Sequence, residues 1–193
     1  MLCFNPTGYT RACGGVTGGV SDVAIFDPAD FDFTQAADVD GVKQPYSAVA
    51  LRDGATAADG AKMYVINFQD EEAEKTTNQA VTGCTVTYTH EWILSLPDNS
   101  QGLTTFLESI DAGGCCCGIG IAYRMNSGKI FIAGEKYVNG SAIPKFRIKQ
   151  DGSDGTTGKL MSDENVYNLH LKGTYSRNLY EYSGTWDSIV ALM

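Results

Sequence analysis

The stretch Cys84-Thr-Val-Thr-Tyr-Thr-His-Glu-Trp-Ile-Leu-Ser-Leu96 decides the fold class. Cys84, Val86, Tyr88, His90, Trp92, Leu94 and Leu96 share one parity; Thr85, Thr87, Thr89, Glu91, Ile93 and Ser95 share the other. Successive side chains of an extended strand point to opposite faces, so this alternation predicts a half-buried β-strand with its aromatic and aliphatic side inward. Working outward, residues 62–69 place Tyr64, Ile66 and Phe68 on one face, and residues 118–125 do the same with Ile119, Ile121, Tyr123 and Met125. Residues 129–135 follow across Asn126, Ser127 and Gly128, a connection that suits a β-hairpin. Val166–Tyr175 aligns Tyr167, Leu169, Leu171 and Tyr175, and shorter strand candidates are Val20–Phe26, Tyr46–Leu51, 145–149 and 179–182. Gly, Asn, Asp and Ser separate these runs, as turn residues do.

Helical periodicity is confined to residues 101–112, where Leu103, Phe106, Leu107 and Ile110 fall at i, i+3, i+4 and i+7. Asn99 and Ser100 are candidate N-caps, and Gly113 and Gly114 are candidate terminators. With 193 residues, no internal repeat and no low-complexity linker, the chain reads as a single domain over 1–193, with a flexible amino-terminal arm at about 1–19. The expected fold is mainly β, an antiparallel β-sandwich or barrel with one flanking α-helix.

Charge narrows the function classes. The chain carries 14 Lys and Arg against 23 Asp and Glu, a net of −9. Phosphate backbones are held by cations that displace counterions, so sequence-specific nucleic-acid binding is not expected. Residues 1–120 hold 5 basic and 16 acidic side chains, whereas 121–193 hold 9 and 7, which leaves the carboxyl-terminal part the more basic. No apolar run reaches the roughly 18 to 20 residues of a membrane helix, and Asn5, Pro6, Thr7 and Gly8 interrupt the stretch where a secretory signal needs apolar residues.

Catalytic and metal chemistry find little support. Cys3, Cys13, Cys84, Cys115, Cys116 and Cys117 contain no Cys-x-x-Cys pair, and in an extended run Cys115 and Cys117 face away from Cys116. They are expected to be buried, reduced side chains, with a Cys3–Cys13 bridge open in an oxidising setting. His90 and His170 lie in no triad or nucleophile-elbow motif, so packing or surface roles are expected. The glycines at 14, 15, 18 and 19 lack the Lys and Ser or Thr of a phosphate loop, and Asp151, Ser153, Asp154 and Gly155 are only a fragment of a calcium loop. No catalytic residue, cofactor or metal is expected.

The order of elements carries a resemblance. Residues 63–193, about two-thirds of the chain, resemble the tail-tube, or major tail, proteins of long-tailed bacteriophages. The resemblance rests on Tyr-Val-Ile-Asn-Phe-Gln-Asp-Glu-Glu-Ala-Glu at 64–74, Leu-Ser-Leu-Pro at 94–97, the short amphipathic helix, and Asn-Ser-Gly-Lys-Ile-Phe-Ile-Ala-Gly-Glu at 126–135. Asp-Gly-Thr-Thr-Gly at 154–158 and Ser-Asp-Glu-Asn-Val-Tyr-Asn-Leu-His-Leu-Lys-Gly at 162–173 add to it, whereas the triple Cys at 115–117 departs from the pattern. The resemblance implies a tail-tube type of β-sandwich in hexameric rings stacked into a tube through which the genome leaves the capsid. It implies as partners other copies of the chain, other tail proteins and viral DNA passing without specific binding. The location implied is the virion tail after synthesis in the host bacterial cytoplasm, with no membrane partner. A net negative inner wall suits DNA that must slide without sticking. The rival readings are a capsid decoration or adhesive β-domain, and an enzyme or carbohydrate-binding module using Trp92, Trp186 and the tyrosines as stacking platforms.

Residues 70–83, with Asp70, Glu71, Glu72, Glu74, Lys75 and Asn78, have few apolar side chains and read as a solvated loop that orders against a neighbouring subunit or ring. Lys145, Arg147, Lys149 and Lys159 are the complementary basic surface expected for it.

Overall fold

The computed structural model describes residues 19–56, 60–68, 73–97, 100–116, 118–144, 146–156 and 165–192, with the backbone alone for 112–116 and 156. Among the described residues the chain is mainly β, with two helices. In chain order the elements are β1 (Val20–Phe26), β2 (Phe31–Gln35), β3 (Tyr46–Leu51), β4 (Tyr64–Ile66), β5 (Ala73–Thr82), β6 (Thr85–Pro97) and α1 (Gln101–Cys116). They continue with β7 (Gly120–Met125), β8 (Ile130–Ala133), β9 (Tyr137–Val138), β10 (Ser141–Ala142), β11 (Lys149–Gln150), β12 (Asp154–Thr156), β13 (Val166–Tyr175), β14 (Tyr180–Tyr182) and α2 (Trp186–Val190).

Two open sheets result. The larger has the order β10-β9-β2-β3-β14-β8-β7-β1-β4; the smaller runs β11-β13-β6-β5, with β12 also on β13. Pairing is antiparallel except for β2 with β9 and β3 with β14, which are parallel. The decisive alternation at 84–96 is strand β6. Its His90, Trp92, Leu94 and Leu96 are buried, as the period of two requires. Trp92, Leu94 and Leu96 meet Leu169 and Leu171 of β13, Val23 and Ile25 of β1, and Ile121 and Tyr123 of β7 in one apolar cluster between the sheets. Each such side chain contributes on the order of 1.5–3 kcal/mol by leaving water.

The larger sheet is buried on its other face as well. Ala24 and Phe26, Ala122, and Ile130 and Ile132 enter a second cluster with Phe31, Phe33 and Tyr46 and with Trp186 and Ile189 of α2. This explains the unbroken apolar runs 23–26 and 130–133, which strands covered on both faces need. Phe26 lies 5.3 Å from Phe31 and 5.7 Å from Phe33, although β1 and β2 are far apart in the sheet order. The sheet therefore curls upon itself around these rings. Gly120 makes room for the curl, since a Cβ there would sit 2.2 Å from the Phe26 ring.

Several sequence expectations are corrected. There are two helices, not one, among the described residues, because Trp186 and Ile189 close the second core cluster from a single short turn. Ser100 Oγ accepts a hydrogen bond from the Leu103 N–H (3.3 Å) and caps α1 as expected. Leu103, Phe106 and Leu107 pack on the core and Ile110 is buried, but α1 runs through Gly113 and Gly114 to Cys116. Cys115 and Cys116 thus belong to a helix, not to an extended run; the left-handed residue that follows is Gly118, with φ +77°. The 62–69 strand shrinks to β4, whose Tyr64 is exposed, and 145–149 contributes only the start of β11, although Phe146 and Ile148 are buried. The hairpin at 126–128 forms as read, closed by Met125 N–H to Lys129 O (2.8 Å). The amino-terminal arm, apart from Gly19, lies outside the described residues.

Candidate functional site

The segment expected to be an interface loop is a strand over most of its length. Ala73–Thr82 pairs with β6 in unbroken register from Ala73↔Leu94 to Thr82↔Thr85, without a bulge. Its polar side chains misled the periodicity reading. Threonines favour extended backbone, and the partner strand supplies every inward apolar contact. The hairpin closes through Gly83 and Cys84, with Gly83 at φ +61°, a two-residue turn with glycine at its first position. Cys84 sits exposed at this tip, which corrects the expectation of a buried thiol.

Of the candidate interface residues, Glu74, Lys75 and Asn78 lie on β5, and Asp70, Glu71 and Glu72 lie outside the described residues. Glu74 and Asn78 are exposed, whereas Lys75 is half-buried on the inward parity opposite Trp92. β5 is the last strand of its sheet, so one side of its backbone meets no other strand among the described residues. Beyond Tyr88, where β13 ends, the β5–β6 hairpin continues as two strands alone, and Val81 there is 65% exposed.

The outward face of the smaller sheet is a hydroxyl and amide surface. Thr89 and Thr174 Oγ1 atoms meet at 3.1 Å, and Ser95 Oγ donates to Asn168 Oδ1 at 3.0 Å. His170 Nδ1 lies 3.2 Å from Glu91, which gives His170 the surface role expected of it. His90 takes the packing role. It is fully buried, edge-on to Phe146 at 6.0 Å, with Nδ1 3.1 Å from Thr77 Oγ1, to which Lys75 Nζ also donates. Burial pushes the Lys75 ammonium down to about 8.

Burial, then the nearby Lys75 charge, pushes the His90 imidazole down to about 4 from 6.5. Between these values the unfolded chain binds a proton that the folded chain refuses, so stability falls as pH drops from 6.5 towards 4. A shift of this size corresponds to about 3 kcal/mol. Urea titrations across that window are expected to show this slope in the native protein and a flatter one in His90→Gln. Parallel slopes would remove His90 as the cause.

A third feature, a buried acid held by a phenol and a guanidinium, has no signature among neighbouring residues. Glu135 is 1% exposed; it accepts a hydrogen bond from Tyr46 Oη (2.8 Å) and a charge-assisted one from Arg177, whose guanidinium also donates to Tyr46 Oη at 3.2 Å. Arg177 lies over Tyr180 at 3.8 Å and Tyr175 at 4.6 Å. Burial pushes the Glu135 carboxyl above its usual range, against the opposing pull of Arg177 and Tyr46. Gly134, with φ +81°, turns the chain so that Glu135 points inward, and a Cβ there would meet the Ile119 carbonyl at 2.6 Å. The group ties together β3, the end of β8 and the β13–β14 connection. It has an acid, a cation and a phenol but no nucleophile–base pair, so its chemistry is that of a clamp.

Trp92 and Trp186 are 0% and 8% exposed, so neither offers a stacking face to a sugar. Among the described residues no three His, Cys, Asp or Glu side chains are grouped to hold a metal, and no helix is long and apolar enough to cross a membrane. No family model, curated protein or solved structure matches the chain.

Proposed function

We propose that the chain is a structural subunit that polymerises by adding sheet edges to one another, as the tail tube of a long-tailed bacteriophage, consistent with its resemblance to the tail-tube proteins. The observation that carries this reading is β5, ten residues long, free of bulges and proline, and with no strand on its other side among the described residues. Soluble proteins protect such edges with short strands, bulges, proline or a covering element, because unpaired N–H and C=O groups recruit another strand. Here a long edge is presented, which suits a chain whose partner is a second copy.

The finer fold assignment, a tail-tube type of β-sandwich in hexameric rings, belongs to the same proposal. So do passage of the viral genome through the ring, contact with other tail proteins and location in the virion tail. The outward side of β6 suits a conduit wall, since the hydroxyls of Thr85, Thr87, Thr89 and Ser95 carry no fixed charge. Glu91 on that side lies opposite Lys172 of β13.

Electron microscopy and sedimentation of the purified protein test this. Hollow rings or tubes are expected, together with their loss in Gln79→Pro. In a two-residue hairpin the residues flanking the turn bond to each other, so the amide of Gln79 faces the open edge. Proline there blocks a neighbour without removing a β5–β6 bond. A protein that stays monomeric at every concentration, or closes into small oligomers as a capsid decoration or adhesive domain does, would overturn the reading. So would normal tubes from Gln79→Pro.

A further inference from the structure

On the outward side, the two edges of the smaller sheet carry charges of opposite sign. On β5, Glu74 is exposed and makes no ion pair among the described residues. At the opposite edge Arg147, Lys149 and Lys172, with Thr174, line an open concavity of about 420 Å³. Arg147 and Lys149 are exposed and form no ion pair among the described residues, and Lys172 has only a distant one, 3.9 Å, to Asp151. In a chain of net charge −9, three cations gathered in one hollow with a single weak partner among them leave an electrostatic demand unmet.

Position completes the match. Lys172 lies between the inward residues Leu171 and Gly173, so it projects from the outward face, and Lys149 is its cross-strand partner. Glu74 follows the buried Ala73 and projects from the same outward face. When two sheets join edge to edge, their faces become continuous, and side chains of the same parity become neighbours across the seam. Further along β13, His170 Nδ1 lies 3.2 Å from Glu91 and His170 Nε2 lies 3.9 Å from Asp154, which leaves the hollow as the less paired part of that edge.

We infer that the hollow formed by Arg147, Lys149 and Lys172 receives the Glu74 carboxylate of a second copy, fixing the direction and register in which edges join. The inference rests on the proposed edge-to-edge assembly and names the contact that gives it polarity. A heterologous contact of this kind joins unlike surfaces, so it propagates into a ring or filament instead of stopping at a dimer.

Charge reversal tests it, with all variants first checked for a native circular dichroism spectrum. Glu74→Lys alone and Arg147→Glu with Lys149→Glu are each expected to raise the concentration needed for assembly about tenfold or more at low salt, where exposed charges are least screened. Combining the three substitutions is expected to restore assembly by exchanging the partners. If the native protein assembles and Glu74→Lys does so equally well, or if the combined variant is not rescued, the pairing is wrong while the assembly reading stands. If the native protein never assembles, both fall. Tight binding of a DNA oligonucleotide that Arg147→Glu with Lys149→Glu abolishes, with assembly unchanged, would assign the hollow to a phosphate ligand and overturn the inference.

Discussion

Glu135→Ala is expected to lower the free energy of unfolding by about 3–5 kcal/mol, the cost of leaving one half of a buried ion pair behind. The substitution strands the Arg177 guanidinium among aromatic rings and removes the acceptor of the Tyr46 hydroxyl, which is itself fully buried. The carboxylate reaches three separate parts of the chain, since Tyr46 is 89 positions away and Arg177 is 42. Urea unfolding checks this through the midpoint, provided the slope is unchanged. Glu135→Gln combined with Arg177→Met, which removes both charges, is expected to recover most of the loss, because well-packed apolar replacements of buried ion pairs are often neutral. A single substitution costing under about 1 kcal/mol would show that water reaches the site and solvates the remaining cation.

Trp92→Ala is expected to cost a similar amount, about 3–5 kcal/mol, for a different reason. Trp92 is 0% exposed at the centre of the cluster joining the two sheets, edge-on to Tyr123 at 5.8 Å and near His90 at 6.2 Å. Deleting the indole opens a void walled by strands of two hydrogen-bonded sheets, which have little freedom to collapse into it. Trp92→Phe, keeping an aromatic ring, is expected to lose less than half as much. Near-equal losses for the two variants in calorimetry would point to the indole itself, and not the filled volume, as the source of the stability.

How legible the fold was follows from which contacts are local. β1, β3 and β13 have the bounds read from the sequence, and β6 is offset by one residue, because the apolar or alternating run of each is visible in its own residues wherever its partners lie. β5 was missed since Glu74–Thr82 has no apolar face to display. It is extended because β6 pairs with it at every step, a fact absent from its own residues. The two glycines at 113 and 114 did not stop α1, since glycine permits a left-handed turn without compelling one. The interface candidates were legible in part: Glu74 and Asn78 are on an open surface, but as strand residues, and Lys75 turns inward. The clamp at Glu135 was not legible at all. A glutamate after glycine looks like any surface turn until Tyr46 and Arg177 arrive from distant parts of the sequence.

The place of β14 has a consequence for how the chain comes to be folded. Tyr180–Tyr182 inserts between β3 and β8, pairing Tyr182 with Tyr46 on one side and Ile130 on the other. A strand that follows both β3 and β8 in the chain therefore lies between them in the larger sheet, and among the described residues the halves on either side of it have no other hydrogen-bonded connection in that sheet. During synthesis β2 and β3 wait as one fragment while β1, β7 and β8 gather as another, each with an open edge. Tyr180–Tyr182 acts as a keystone, and the nascent chain stays exposed to wrong partners until it arrives. Closure across such sequence distances is slow compared with local pairing. The larger sheet is thus complete only once β14 has been made, so its two halves wait on a segment that lies far along the chain from both.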